Sequence, residues 1–290
     1  MPAASSPAQL EKLLVCTDGS PESQGAINAA LDLARTHGSK VYLLEVLAFI
    51  PGYELQSPDL LPPPPLNLEV QAAQEAAVRE RLEAWQAEAA PRGVDLEPRI
   101  RTSTSAYQGI LEEAEALGPD WIVMGRHGFT GLARLLMGSV TARVIGHSPF
   151  NVLVVPPGVT LSFRRIMMAS DGSPYSAAAW AEALSLARRM GSALIGVSVA
   201  AGDGETKTAM EVVEKLKAAA AQQGITLETM VLRGKPYEAI VKAATAKEVD
   251  LIVLGSHGRT GLRRLLMGSV AERVIGQAPC ATLVVKRTAA

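Results

Sequence analysis

The sequence predicts an α/β protein built from two tandem open parallel-sheet domains, and three observations predict it. The first is length, since 290 residues at roughly 100 to 200 per domain suggest two domains, each large enough for its own core. The second is an internal repeat. Residues 121–155 align without a gap on residues 251–285, with 23 of the 35 pairs identical, and Leu13–Ser23 answers Ile166–Ser176. The third is an alternation, in each copy, of short apolar runs with longer amphipathic ones. Continuous apolar strands separated by amphipathic helices imply a parallel sheet covered on both faces through right-handed crossovers.

The elements follow in order. Leu13 to Thr17 is a short apolar strand, after which Ser20-Pro21 predicts an N-cap with proline at the first helical position. Ile27, Ala30, Leu31 and Ala34 share one face of that helix, which stops near Gly38. Val41 to Leu47 is the next strand. A helix rich in Ala, Glu and Arg spans about Leu68 to Ala90, followed by a strand near Leu96 to Arg101 and a helix from about Tyr107 to Leu117. Trp121 to Met124 and Val152 to Val155 are strands on either side of the last helix, and the second copy repeats the order. The halves run from about Leu13 to Val155 and from about Arg165 to Lys286, joined by Pro156-Pro157-Gly158, so the domains are residues 1–157 and 158–290.

The copies differ in length. Asp18 to Gly125 spans 107 residues and Asp171 to Gly255 spans 84, so the first half carries 23 extra, most of them in Phe49 to Val70. That stretch contains Pro62-Pro63-Pro64-Pro65, which fits neither helix nor central strand and predicts an extended surface loop. A tolerated insertion and a lid or partner-docking loop are both open readings.

Composition excludes several classes. Hydrophobic residues make up 48% and charged residues 20%, the balance of a globular protein, and no apolar window reaches the roughly 18 residues a membrane span needs. The first ten residues have neither a basic nor an apolar export region, which places the expectation in the cytoplasm. A formal net charge of −1 gives no global attraction to nucleic acid. Cys16 and Cys280 lie in apolar segments far apart and match no metal or redox spacing, so both are expected to be reduced core residues.

Unusual residues gather where open sheets bind ligands, at the carboxyl ends of strands beside a reversal of strand order. The fourth strand runs into Gly125-Arg126-His127-Gly128, with Gly138-Ser139 and Val140 after nine further residues. The second copy has Gly255-Ser256-His257-Gly258, then Gly268-Ser269 and Val270. Glycines permit close backbone approach and positive φ, and a Gly-Ser pair opening a helix offers N–H groups, a hydroxyl and a positive helix end suited to phosphate. Asp18 and Asp171 each follow the first strand at the same sheet edge. Either could accept hydrogen bonds from a ribose or adenine, cap its own Asp-Gly-Ser turn, or do both.

The pattern Gly-x2-Gly-x9-Gly-Ser after the fourth strand, with Asp-Gly-Ser after the first, resembles the ATP-binding branch of the universal stress protein family over nearly all of both halves. The resemblance implies Rossmann-like domains of the adenine-nucleotide α-hydrolase-like group, fused as a tandem version of a homodimer, in a regulatory protein of the stress response. It implies ATP, with or without Mg²⁺, as ligand. Adenine and ribose would lie near Asp18, Val46 and Gly125, and phosphates near Gly128, Gly138, Ser139 and Val140. The second site would use Asp171, Val199, Gly255, Gly258, Gly268, Ser269 and Val270.

The pattern favours holding a nucleotide over splitting it. The P-loop ending in Gly-Lys-Ser/Thr is missing, no nucleophile–base pair recurs in both copies, and no Ser-Gly-Gly-x-Asp-Ser grip follows the first strand. The leading expectation is therefore a nucleotide-binding regulator with slow or no hydrolysis, acting on a protein partner. The alternatives are a nucleotide hydrolase or adenylyl-transfer enzyme, and a scaffold with purely structural loops. His127 and His257 have no companion ligands for a metal and are expected to pack the loop or meet phosphate. Arg134, Arg143, Arg264 and Arg273 belong to solvated helix faces, with room for one per site to approach phosphate. Trp85, Trp121 and Trp180 belong to apolar stripes. The last strands, Asn151 to Val155 and Thr282 to Val285, are expected to pair the halves as an intramolecular pseudo-dimer, and a dimer of such chains is a further expectation.

Overall fold

A computed structural model describes residues 10–48, 68–128, 137–259 and 267–286. The first half runs β1 (Lys12–Thr17), α1 (Pro21–His37), β2 (Lys40–Ala48), α2 (Leu68–Ala89), β3 (Leu96–Ser103), α3 (Ala106–Leu117), β4 (Trp121–Gly125), α4 (Ser139–His147) and β5 (Asn151–Val155). The second runs β6 (Arg165–Ala169), α5 (Pro174–Met190), β7 (Ala193–Ala200), α6 (Thr206–Ala221), β8 (Leu227–Arg233), α7 (Pro236–Ala246), β9 (Leu251–Gly255), α8 (Ser269–Gln277) and β10 (Ala281–Val285). Local chemistry sets the boundaries. Pro21 and Pro174 open α1 and α5, and Gly38 and Gly191 close them at φ 70° and 65°, a left-handed turn open to glycine without strain.

The strands form one sheet in the order β3-β2-β1-β4-β5-β10-β9-β6-β7-β8. Pairing is parallel within each half and antiparallel where β5 meets β10, with Leu153 opposite Leu283. The two halves thus pair through the expected strands. The pairing turns two apolar edges into the middle of a sheet.

Alternation along the strands makes three layers. Leu13, Val15, Trp121 and Val123 pack on the face covered by Ile27 and Leu31 of α1, in a core continuous with Ile166, Met168, Trp180 and Leu184 of the second half. On the opposite face Leu14, Ile122 and Val152 pack with Ile110 and Ile145, and Ile275 and Val284 join them from the second half. Shared cores on both faces bind the halves more firmly than strand pairing alone, since each large aliphatic side chain buried contributes about 1.5–3 kcal/mol.

Two expectations need adjustment. The proline-rich loop expected over Phe49 to Val70 lies for residues 49–67 outside the described residues, and Leu68 to Val70 form the first turn of α2, which starts where the helix was expected. The third strand runs on to Ser103, because β2 continues to Ala48 and pairs it along its full length.

Candidate functional site

Strand order reverses beside β1, where β2 lies on one side and β4 on the other, and again beside β6. The carboxyl ends of β1 and β4, and of β6 and β9, therefore open two crevices that no crossover helix can fill. Because β5 and β10 are antiparallel, the crevices lie at opposite ends of the sheet.

The first crevice is a cavity of about 260 Å³ lined by all seven residues expected there: Asp18, Val46, Gly125, Gly128, Gly138, Ser139 and Val140. Its floor is apolar, made by Cys16, Leu44, Ile110 and Met124. The Asp18 Oδ1 accepts from the Ser20 amide (3.0 Å) and hydroxyl (2.5 Å), so the turn-capping role is present. The glycine loop lies directly on the other carboxylate oxygen, for a Cβ on Gly128 would sit 2.1 Å from Oδ2. The Gly138 amide donates to the Arg126 carbonyl (2.8 Å) and the Thr141 hydroxyl to that of Gly125 (3.1 Å), fixing loop to helix. Helix α4 then presents its first amides to the cavity, a turn whose N–H groups have no partner within the helix.

The second crevice repeats the plan in about 320 Å³, lined by Asp171, Val199, Gly255, Gly258, Gly268, Ser269 and Val270. Val197, Ile240 and Leu254 form its floor. Asp171 accepts from the Ser173 amide at Oδ1 (2.9 Å) and from the Arg259 amide at Oδ2 (2.7 Å). Burial pushes this carboxyl up, but hydrogen bonds from Ser173, Arg259 and Ser176 outweigh it and hold it below the usual range. Asp171 therefore stays ionised.

The glycines serve close approach and not, as expected, positive φ. Among the described glycines, Gly19 and Gly172 of the Asp-Gly-Ser turns have φ of 78° and 79°, whereas those of the phosphate-type loops are absent from the positive range. The loop glycines are small because neighbours are near: a Cβ on Gly255 would lie 2.8 Å from the Tyr175 backbone.

Some lining residues escaped the sequence reading. Ile110 and Ile240 reach the floors from helices, with no motif of their own, and among the described residues Glu205 and Arg259 line the second cavity and not the first, Arg259 also lining a neighbouring cavity with Trp180 and Lys215. Leu44 was findable, since it lies two residues before Val46 on the same strand face. His127 and His257 line their cavities. Burial, with Arg126 adding to it, pulls the His127 imidazole down toward neutrality, partly opposed by Glu22, while His257 packs 5.1 Å from the Tyr175 ring. Arg143 and Arg273 stack over Tyr107 and Tyr237 at 5.3 and 5.0 Å, and Arg134 and Arg264 lie outside the described residues. Cys16 and Cys280 are buried, which raises both thiols, Cys280 to about 12.

The apolar floors, bare glycine edges and helix amino ends fit a flat heterocycle with a phosphate tail. Each cavity is apolar where a ring could stack, and a helix amino end with free N–H groups opens beside it. Among the described residues no group of three His, Cys, Asp or Glu could hold a metal ion, and no helix is long and apolar enough to cross a membrane.

A model of the universal stress protein family matches residues 9–156 and again 162–286. A universal stress protein of Mycolicibacterium smegmatis is 27% identical over 94% of this chain and 96% of its own length. One of Methanocaldococcus jannaschii is 36% identical over 43% of this chain and 83% of its own. The crystal structure of a universal stress protein from Archaeoglobus fulgidus superposes with a TM-score of 0.76, covering 97% of this chain and all of that one at 22% identity, and so shares the fold.

Proposed function

Since the chain belongs to the universal stress protein family, we propose that it is a regulatory protein that binds one adenine nucleotide, ATP foremost, in each crevice and hydrolyses it slowly or not at all. The observation that carries this reading is the doubled juxtaposition of an apolar floor with a glycine loop and a helix amino end, walled by an ionised Asp171 in one copy and by Asp18 in the other. The base would enter against Val46 or Val199 and the ribose would meet Asp18 or Asp171. The phosphates would face Gly138-Ser139 or Gly268-Ser269, with any Mg²⁺ arriving on the nucleotide.

Regulation would act through a protein partner that distinguishes the filled from the empty chain, in the cytoplasm. A dimer of chains would lie outside the β5–β10 seam, which is already used. Slow turnover is supported by the residues at the loops: neither glycine loop carries the lysine of a P-loop, and the Cys16 thiol on the first floor is held protonated by burial.

Mass spectrometry of small molecules released from freshly purified protein is the direct test, followed by calorimetry with ATP, ADP, AMP and cyclic AMP. Release of an adenine nucleotide, or micromolar binding to emptied protein, is expected. A folded, verified empty chain that binds none of them would sink the reading. Turnover of ATP with Mg²⁺ well above about 1 per minute would instead make it an enzyme, since typical values lie near 10 s⁻¹.

A further inference from the structure

Apart from Arg126 against Ser256 at their start, the two glycine loops are close copies. Residues 129–139 and 259–269 agree at all but two positions, Phe129 against Arg259 and Ala133 against Arg263, and each difference places an arginine in the second copy. Arg259 follows Gly258 directly and lines the second cavity. It bridges two surfaces. Its amide closes the loop onto Asp171 Oδ2 (2.7 Å), and its side-chain Nε donates to the Asp171 carbonyl, leaving the guanidinium over the rim near Gly172.

This position suits a charge that moves. The contact of Nε with a neutral carbonyl is exposed, and among the described residues Arg259 forms no ion pair. A guanidinium prefers a phosphate oxygen to an amide carbonyl, because the phosphate adds an opposite charge and accepts two parallel N–H bonds from the planar fork. A phosphate chain laid from Gly258 toward Ser269 would bring its oxygens to the loop that carries this arginine. The first loop offers Phe129 at the same position, an aromatic ring with no donor.

Resting on the nucleotide reading above, we propose that the second site discriminates among adenine nucleotides by the charge of the phosphate chain through Arg259, and that the first site does not. Arg259 is then a specificity-determining residue. The chain would hold two sites tuned to different members of one ligand series, the second following the triphosphate and the first taking shorter forms on more equal terms.

The test is calorimetry on the full chain in Mg²⁺-free buffer at low salt, with ATP and AMP. Asp18→Ala and Asp171→Ala variants assign each binding event to a site. At the second site Arg259→Gln should lower the ratio of ATP to AMP affinity about tenfold or more, as expected for loss of a charged hydrogen bond, and should leave the first site unchanged. Raising salt should erode the wild-type ratio at the second site more steeply than at the first. Phe129→Arg, made in the otherwise native chain, should confer the preference on the first site and keeps the test independent of the aspartate variants. Binding at both sites with an unchanged ratio in Arg259→Gln would overturn the inference alone. Failure of the wild-type chain to bind any adenine nucleotide would overturn the reading beneath it.

Discussion

Gly128 and Gly255 are both bare for want of room, yet what crowds them differs, and so should the effects of filling them. A methyl group on Gly255 meets the Tyr175 backbone at 2.8 Å, which cannot step aside without moving the start of α5. Gly255→Ala should therefore destabilise the chain by roughly 1–3 kcal/mol, read as a shifted midpoint in denaturant. On Gly128 the nearest atoms are those of the Asp18 carboxylate, a side chain that yields more readily than backbone by giving up part of its bonding to Ser20. Gly128→Ala should leave that midpoint nearly in place and weaken nucleotide binding at the first site by an order of magnitude, measured by calorimetry. Lys286 gives a third residue-level test, because burial draws its pKa from 10.5 down to about 8 while Nζ donates to the Ile145 carbonyl. Between those two pH values the unfolded chain binds more protons than the folded one, so stability rises with pH across that window. Below about 8 the full cost of the buried charge is present. The stability difference between wild type and Lys286→Met should move in favour of wild type as pH climbs from 8 to 10, in parallel urea titrations. Residues of this kind divide what a sequence can tell. Asp18, Gly128 and Ser139 were legible because they recur as Asp171, Gly258 and Ser269 at matching places, whereas Ile110 is one apolar helix residue among many.

Helices α4 and α8 each join the two halves at their carboxyl ends. Arg126, 9% exposed, donates to the carbonyls of Gly276 (2.7 Å) and Ala278 (3.1 Å), satisfying the end of α8 that lies across the seam. Lys286 does the same for α4 through Ile145, while its amide is held by Asn151 (2.9 Å). Each helix thus has its amino end in one site and its carboxyl end gripped from the other half. Arg126→Met should leave two buried carbonyls without their donor and cost about 2–3 kcal/mol, with faster hydrogen exchange in the last turn of α8 as the local sign. The element boundaries were largely readable, because Pro21 and Gly38 are conformational signals that act where they stand. The bond from Arg126 was not, for its acceptor lies 150 residues away and arginine in a loop carries no indication of direction. The run of β3 to Ser103 was missed for a related reason: its last residues are held by β2, not by their own propensity.

At the scale of the molecule, the pairing of Asn151–Val155 with Ala281–Val285 was foreseeable from two apolar edges with no other cover, and the shared cores on both faces followed from it. The full order of the strands was not legible, because it is set by pairing between distant segments and no strand carries it alone. Joining the halves by a linker makes their association intramolecular, so the partner is present at an effective concentration in the millimolar range whatever the dilution. Cleaving the chain between Pro157 and Gly158 should convert a concentration-independent thermal midpoint into one that falls on dilution, and a cut chain whose midpoint ignored concentration would show that the seam does not stabilise the halves. The pseudo-axis between Leu153 and Leu283 has a further consequence. In a dimer of identical chains every substitution appears twice, and a residue near the axis must suit its own copy. One chain with both halves is released from that rule. Leucine still faces leucine at the axis, while Arg126 faces α8 with only Ser256 as its counterpart, and Arg259 answers Phe129. Each site is separately heritable, so selection can change one and keep the other.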